Sequence, residues 1–108
     1  MIPKLAHFVW FGPTHPEWVD RVAVEFSALH TDWTVKIHDR MPTRMPRSIR
    51  RRALACHQFC QLADILVAWL LYEQGGVALD TDTIAVRNFD PLLGLDAFTS
   101  AHSDHDRR

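Results

Sequence analysis

Residues 62–82 read LADILVAWLLYEQGGVALDTD, and this stretch decides the fold that we predict for the chain. Its first part, up to Tyr72, is apolar on nearly every side of a helical wheel, which predicts a buried helix. The glycine pair that follows ends the helix, and Gly75 suits the left-handed conformation found after many helices. Val77–Leu79 predicts a short buried strand that places Asp80–Asp82 at the carboxyl end of a sheet, where open α/β proteins bind ligands.

The residues on the N-terminal side of this stretch predict a strand, a helix and a second strand. Lys4–Phe11 is a nearly continuous apolar run that stops at a Gly-Pro turn signal, as in a strand covered on both faces. Apolar side chains recur at three- and four-residue spacing over 16–30, and Trp33–His38 alternates as a strand does. This order favours parallel pairing of the two strands.

The remaining segments complete one α/β domain over residues 1–108. We expect Ser48 to cap a helical region that continues to Gln74, and two further strands at Thr83–Val86 and Ala97–Thr99. Three aromatic residues are expected in the core: Trp33, Trp69 and Tyr72.

Composition places the chain among ordinary globular proteins. Hydrophobic residues make up 47% and charged residues 23% of its 108 residues, which excludes a disordered protein. The formal net charge of −1 removes the general electrostatic argument for nucleic-acid binding. No apolar run reaches the roughly 18–20 residues that a membrane span needs, and the N-terminus lacks the pattern of a secretory signal. We therefore expect a cytoplasmic protein.

Charge is nevertheless distributed unevenly along the chain. Six arginines and no acid lie between Arg40 and Arg52, whereas six acids and one base lie between Asp80 and Asp106. This pattern suits an anionic ligand bound together with a divalent cation, and a solvated basic loop with an acidic rim explains it equally well. The two cysteines of the chain are too few to close a tetrahedral zinc site.

Three features of the sequence are candidates for a functional site. Asp80 and Asp82 can turn toward one Mg²⁺ or Mn²⁺, although a surface turn with two solvated aspartates is the alternative. Asp64 is the only formal charge of residues 53–72, and a carboxylate among apolar neighbours needs a partner or a cavity, so it is either a ligand-binding or a structural residue. Trp10 either stacks on a nucleobase or belongs to the core.

Four segments carry a resemblance to a known family: Ile2–Gly12, Ala63–Leu66, Leu71–Asp82 and Asn88–Leu93. In this order they resemble the DXD sugar-transferase family. Its members include fungal initiating mannosyltransferases, bacterial capsular-polysaccharide transferases and, more distantly, the catalytic domains of large clostridial glucosylating toxins. The ordered set is more specific than any single motif, and the resemblance extends from Ile2 to about Phe98.

The resemblance implies a GT-A fold, a Rossmann-like nucleotide-sugar-binding sheet with flanking helices, of which this chain carries the N-terminal portion only. It implies that Trp10 stacks on the base of a UDP- or GDP-sugar and that Val9 supplies backbone contacts. Asp64 would hydrogen-bond the donor sugar. Asp82 would hold Mn²⁺ or Mg²⁺, and Asp80 would contact ribose, sugar or metal, so that catalysis rests on these three carboxylates. The sugar would pass, with retention of configuration, to a saccharide or protein acceptor.

Two positions depart from the family pattern. Val67 stands where members typically carry an arginine, and Ala78 stands where they favour an aromatic residue. Two functions therefore remain open: a hexosyltransferase, or a catalytically impaired donor-binding module or fragment that needs a partner chain. A metal-dependent phosphatase or nuclease would explain neither Trp10 nor Asp64. We also expect self-association or a partner chain over apolar residues that a longer relative would cover: Leu70, Leu71, Phe89, Leu92, Leu93 and Phe98.

Overall fold

The computed structural model describes residues 1–100, so that Asp104 and Asp106, which belong to the acidic segment, lie outside the described residues. The described chain forms three strands, three α-helices and one short 3-10 turn. In chain order they are β1 (Leu5–Val9), α1 (Glu17–Leu29), β2 (Thr34–His38), α2 (Arg47–Leu54), α3 (Phe59–Gln74), β3 (Val77–Leu79) and the 3-10 turn Asp90–Leu92.

The three strands form one parallel sheet in the order β2-β1-β3. Leu5 in β1 lies opposite Thr34 in β2, and Ala6 lies opposite Val77 in β3. β1 is therefore the central strand, which explains its nearly continuous apolar sequence. The predicted α/β fold with parallel pairing is confirmed.

The two faces of β1 are covered by different helices. Ala6 and Phe8 pack with Phe26 of α1 in one core cluster. Val9 packs with Leu66 of α3 in a second cluster. Because successive side chains of a strand point to opposite faces of the sheet, α1 and α3 lie on opposite sides of it.

The turn between α3 and β3 requires glycine at two successive positions. Gly75 and Gly76 have φ angles of +70° and +95°, which residues with a side chain rarely adopt. A Cβ atom at Gly76 would lie 2.4 Å from the carbonyl oxygen of Leu5. The lack of a side chain here allows the start of β3 to lie directly beside β1, and the predicted end of the helix is confirmed.

The structure corrects the predicted helical region. The helix expected from Ser48 to Gln74 is interrupted at residues 55–58, and α2 begins after Pro46 rather than after a serine cap. Nothing in the local sequence marks the interruption, since residues 55–58 contain neither glycine nor proline. Within residues 1–100, no helix combines the length and the apolar character needed to cross a membrane.

The two further strands that the sequence predicted are absent from the described residues. Thr83–Val86 and Ala97–Thr99 follow irregular paths. β-Branched residues such as Ile84 favour strands only where a neighbouring strand can pair with them. β3 is instead an edge of the described sheet.

Several side chains differ from expectation in their burial. Tyr72 is 85% exposed and is not a core residue, whereas Trp33 is 8% exposed, as predicted. Leu70 and Leu93, expected at an uncovered surface, are 1% and 3% exposed because they pack inside this chain. Phe89 and Phe98 also pack against the cluster around Phe26.

Candidate functional site

A cleft of about 520 Å³ opens where β1 and β3 end, beside the first half of α3. Parallel strands end at the same edge of a sheet, so the segments that follow β1 and β3 meet there. The lining of this cleft brings together all five residues that the sequence suggested for a site: Val9, Trp10, Asp64, Asp80 and Asp82.

Two other cavities, of about 580 and 650 Å³, flank β3. Among the described residues, Asp96 is the one carboxylate lining the first, and Asp80 is the one carboxylate lining the second. Neither cavity combines several carboxylates with tryptophan, so the 520 Å³ cleft is the candidate site. Ala78 lines the two flanking cavities and not this cleft.

The indole of Trp10 is held in place by its neighbours. Its Nε1–H donates a hydrogen bond of 2.8 Å to the carbonyl oxygen of Thr14. Its ring meets that of Trp18 edge to face, with centroids 5.2 Å apart and an interplanar angle of 82°. Gly12 lies against the same ring, since a Cβ atom there would be 3.2 Å from Nε1 of Trp10. The side chain is half-buried and borders the cleft rather than filling the core.

The backbone of Trp10 is fixed as well. Its N–H donates a hydrogen bond of 2.9 Å to the carbonyl oxygen of His38, which continues the pairing of β1 with β2 by one residue. The position of the indole at the cleft is thus set by the central strand of the sheet.

Sequence reasoning missed two aromatic residues of the cleft. Trp18 lies on α1, where its spacing with Val22 and Phe26 assigned it to the buried stripe of that helix, yet it is 39% exposed and lines the cleft. Phe59, the first residue of α3, is 57% exposed and also lines the cleft. The high exposure of Phe59 has no signal in the sequence, because it depends on the interruption between α2 and α3.

Asp80 and Asp82 belong to an exposed turn that Thr83 closes. The backbone N–H and the hydroxyl of Thr83 both donate to the carbonyl oxygen of Asp80, at 3.3 and 2.6 Å. In the part of the chain that the structure describes, neither carboxylate accepts a hydrogen bond or forms an ion pair with another side chain. Both carboxylates are therefore available to a ligand.

Asp64 is exposed, which corrects the expectation that apolar neighbours enclose it. It lies about 200° around α3 from Leu66, the residue that faces the sheet, so it points away from the core. The hydrophobic neighbours in its sequence cover other sides of the helix. No burial therefore forces Asp64 to find a partner, and its place in the cleft is the reason to consider it functional.

The cleft is negative in charge. Its lining includes the carboxylates of Asp64, Asp80 and Asp82 and no lysine, arginine or histidine among the described residues. Val67 lies in this lining as well. An anionic ligand would be repelled by such a site unless a cation entered with it.

Comparisons with known proteins agree with the predicted family and with the fold. Residues 6–99 match the model of a protein family described as a glycosyltransferase sugar-binding region containing a DXD motif. Among solved structures, the fold is similar to that of the PaToxG glycosyltransferase, with a TM-score of 0.58 and 20% sequence identity. The similarity covers 82% of this chain and 45% of that one, so the chain spans less than half of the solved glycosyltransferase. A comparison with curated proteins gave no match.

Proposed function

Because this chain belongs to the family of glycosyltransferase sugar-binding regions that contain a DXD motif, we propose that its cleft binds a nucleotide-diphosphate sugar with a divalent cation and transfers the sugar to an acceptor. The observation that carries this proposal is the convergence of Trp10 with three carboxylates, those of Asp64, Asp80 and Asp82, in one cleft. An aromatic surface beside a cation site suits a ligand that joins a base to a diphosphate.

Asp80 and Asp82 would hold the cation. Carboxylate oxygens are the ligands that Mg²⁺ and Mn²⁺ accept, and two such side chains leave coordination positions for phosphate oxygens. Within residues 1–100, no group of three or more His, Cys, Asp or Glu side chains is close enough to hold a metal by itself. The donor's diphosphate would therefore complete the ligand set. When bound, the metal would neutralise the diphosphate as the glycosidic bond breaks.

Trp10 and Asp64 would orient the two ends of the donor. The base would stack on the indole of Trp10, with the backbone of Val9 at its edge, and such stacking contributes about 1–3 kcal/mol per base. The exposed carboxylate of Asp64 would accept hydrogen bonds from hydroxyls of the donor sugar. We also propose that the transferred sugar keeps its anomeric configuration, and this part of the proposal rests on the family alone.

A donor-binding module without transfer is the second candidate, and one observation favours it. Val67 lines the cleft where relatives typically carry arginine, and the described lining contains no cation. One preorganised electrostatic contact typically stabilises a transition state by about 3–4 kcal/mol. A cleft without that contact would bind its donor and turn it over slowly or not at all.

Calorimetric titration with UDP- and GDP-sugars, in Mn²⁺ and in chelator, tests both candidates, followed by an assay for sugar release. We expect Mn²⁺ to tighten binding and Asp82→Ala to remove that gain. Asp96→Ala, an exposed aspartate outside the cleft, is the matched control and should retain it. Equal affinity in metal and in chelator would contradict the site. Saturable binding with turnover indicates the transferase, and binding without turnover indicates the module.

Three finer expectations remain predictions. The acceptor is a saccharide or a protein, the protein is cytoplasmic, and the chain associates with itself or with a partner. Acceptor screening, cell fractionation and light scattering address them in turn.

A further inference from the structure

Helix α2 presents a group of arginine side chains to solvent. Arg47, Arg51 and Arg52 are exposed and Arg50 is partly exposed. The sequence contains no Asp or Glu between Asp39 and Asp64. Among the residues that the structure describes, none of these four arginines takes part in an ion pair.

This arrangement destabilises the first turn of α2, whereas Arg51 and Arg52, in its last turn, suit the negative end of the helix dipole. Arg47 and Arg51 are four residues apart, and like charges at that spacing repel each other on a helix. The first turn of α2 contains no acid, although the positive end of a helix dipole favours one. Residues 101–108 contain two aspartates and two arginines, so their formal charges cancel. An external anion would relieve the repulsion.

An exposed leucine shares the surface with the arginines. Leu54 follows Arg47 and Arg51 at spacings of seven and three residues, which puts all three on one face of the helix. It is 77% exposed, whereas Ala53, about 100° around the helix from it, is 2% exposed and packs inside the chain. We call the set Arg47, Arg51 and Leu54 the arginine face.

We propose that the arginine face docks on an anionic lipid bilayer. A membrane surface offers both components that this face needs, namely negative headgroups for the guanidinium groups and an apolar layer beneath them for the leucine. A nucleic acid or another soluble polyanion would satisfy the arginines alone. The presence of the exposed leucine among them favours the bilayer.

Docking of this face would bring the candidate cleft near the membrane. Phe59, which lines the cleft, follows Leu54 by five residues, and five residues of extended chain span at most roughly 17 Å. The cleft would then open within reach of the lipid headgroups.

Co-sedimentation with vesicles tests the proposal independently of nucleotide binding. The full chain is mixed in chelator with vesicles of phosphatidylcholine alone or with about one third phosphatidylserine, so that no metal bridges the acidic cleft to lipid. We expect binding to the anionic vesicles only, with a decrease as salt screens the charges. Arg47→Gln with Arg51→Gln should weaken the partition roughly 25-fold, at about fivefold per arginine.

Two controls test whether binding depends on the arginine face and whether the ligand is a bilayer. Arg21→Gln with Arg87→Gln removes the same charge from exposed sites outside α2 and should leave the partition within about twofold. Leu54→Ser should weaken binding to anionic vesicles about tenfold and leave binding to a single-stranded oligonucleotide unchanged. Circular dichroism checks that each variant folds, which is expected because every substituted side chain is exposed.

Three results would each overturn the proposal. They are equal binding to neutral vesicles, an equal loss in the Arg21 and Arg87 variant, and an unchanged partition in the Leu54 variant. Oligonucleotide binding that survives Leu54→Ser, without vesicle binding by the parent chain, would assign the face to a soluble polyanion instead.

Discussion

Nδ1 of His7 lies 3.0 Å from Nε2 of His38, and this contact joins the two neighbouring strands β1 and β2. Nε2 of His7 lies 2.9 Å from the carbonyl oxygen of Gly75 at the end of α3. A carbonyl oxygen only accepts, so Nε2 of His7 must carry a hydrogen, and in the neutral ring its Nδ1 then accepts from His38. The two neutral rings therefore form a hydrogen-bonded chain from β2 through β1 to the turn that precedes β3.

The histidine chain predicts that stability falls in mild acid. Burial lowers the pKa of His7 and lowers the pKa of His38 to about 4, with the charge of Lys36 adding to both effects. Since unfolded histidine has a pKa of about 6.5, the unfolded state binds more protons, and stability is lost as the pH falls from about 6.5 toward 4. We expect about 1–2 kcal/mol less unfolding free energy at pH 5 than at pH 7, from urea titrations.

A substitution identifies the source of this loss. His38→Gln should reduce the dependence on pH between 7 and 5, because the glutamine amide does not titrate there, and should leave only the contribution of His7. His57→Gln, an exposed histidine in the connection between α2 and α3, should leave the slope unchanged. A slope in the His38 variant as steep as that of the parent chain would attribute the pH dependence to other groups.

The turn that precedes β3 leads us to expect that alanine destabilises the fold at Gly76 and not at Gly94. Gly76→Ala places a methyl group 2.4 Å from the carbonyl oxygen of Leu5 at a φ of +95°, and it should destabilise the fold by about 2–3 kcal/mol or more. Gly94→Ala meets no atom within 4 Å and should be neutral or stabilising by up to about 1 kcal/mol. Thermal unfolding followed by circular dichroism compares the two, and similar midpoints would contradict the close approach.

If a base stacks on Trp10, replacing this residue should change both the affinity for nucleotide and the tryptophan fluorescence. Trp10→Ala should weaken nucleotide binding by about 1–3 kcal/mol and remove the quenching of tryptophan fluorescence by nucleotide. Trp10→Phe retains an aromatic ring but loses the N–H that donates a hydrogen bond to the carbonyl oxygen of Thr14. It should therefore keep part of the affinity for nucleotide. If the alanine variant binds nucleotide as tightly as the parent chain, the base lies elsewhere.

Replacing Val67 by arginine should improve the binding of a sugar nucleotide. Val67→Arg would add a cation to a cleft whose described lining holds three carboxylates and no cation. It should tighten binding of a sugar nucleotide more than binding of the bare nucleotide diphosphate. Ala68→Arg adds the same charge at an exposed neighbour outside the cleft and should favour neither ligand. An equal gain for both ligands with Val67→Arg would remove the donor-sugar role of Asp64.

The segments that meet at the cleft could be predicted because strand order alone brings them together. Val9 ends β1 and Asp80 directly follows β3, and parallel strands end at one edge of the sheet. The exposure of Asp64 could not be predicted, since its apolar neighbours in sequence cover other sides of α3. Similarly, β-branched residues at 84 and 86 favour a strand, but they do not pair with the described sheet, of which β3 remains an edge.

The hydrogen bond between Trp10 and Thr14 has a consequence for the entropy of binding. A free surface indole samples several rotamers, and a ligand that stacks on it must restrict them, at about 0.5–1.5 kcal/mol per immobilised side chain. In this chain the Thr14 carbonyl and the Trp18 ring already restrict the indole. The side-chain entropy is therefore lost when the chain folds, and not when a ligand binds. The aromatic surface is preorganised, and a planar ligand would gain the full stacking energy.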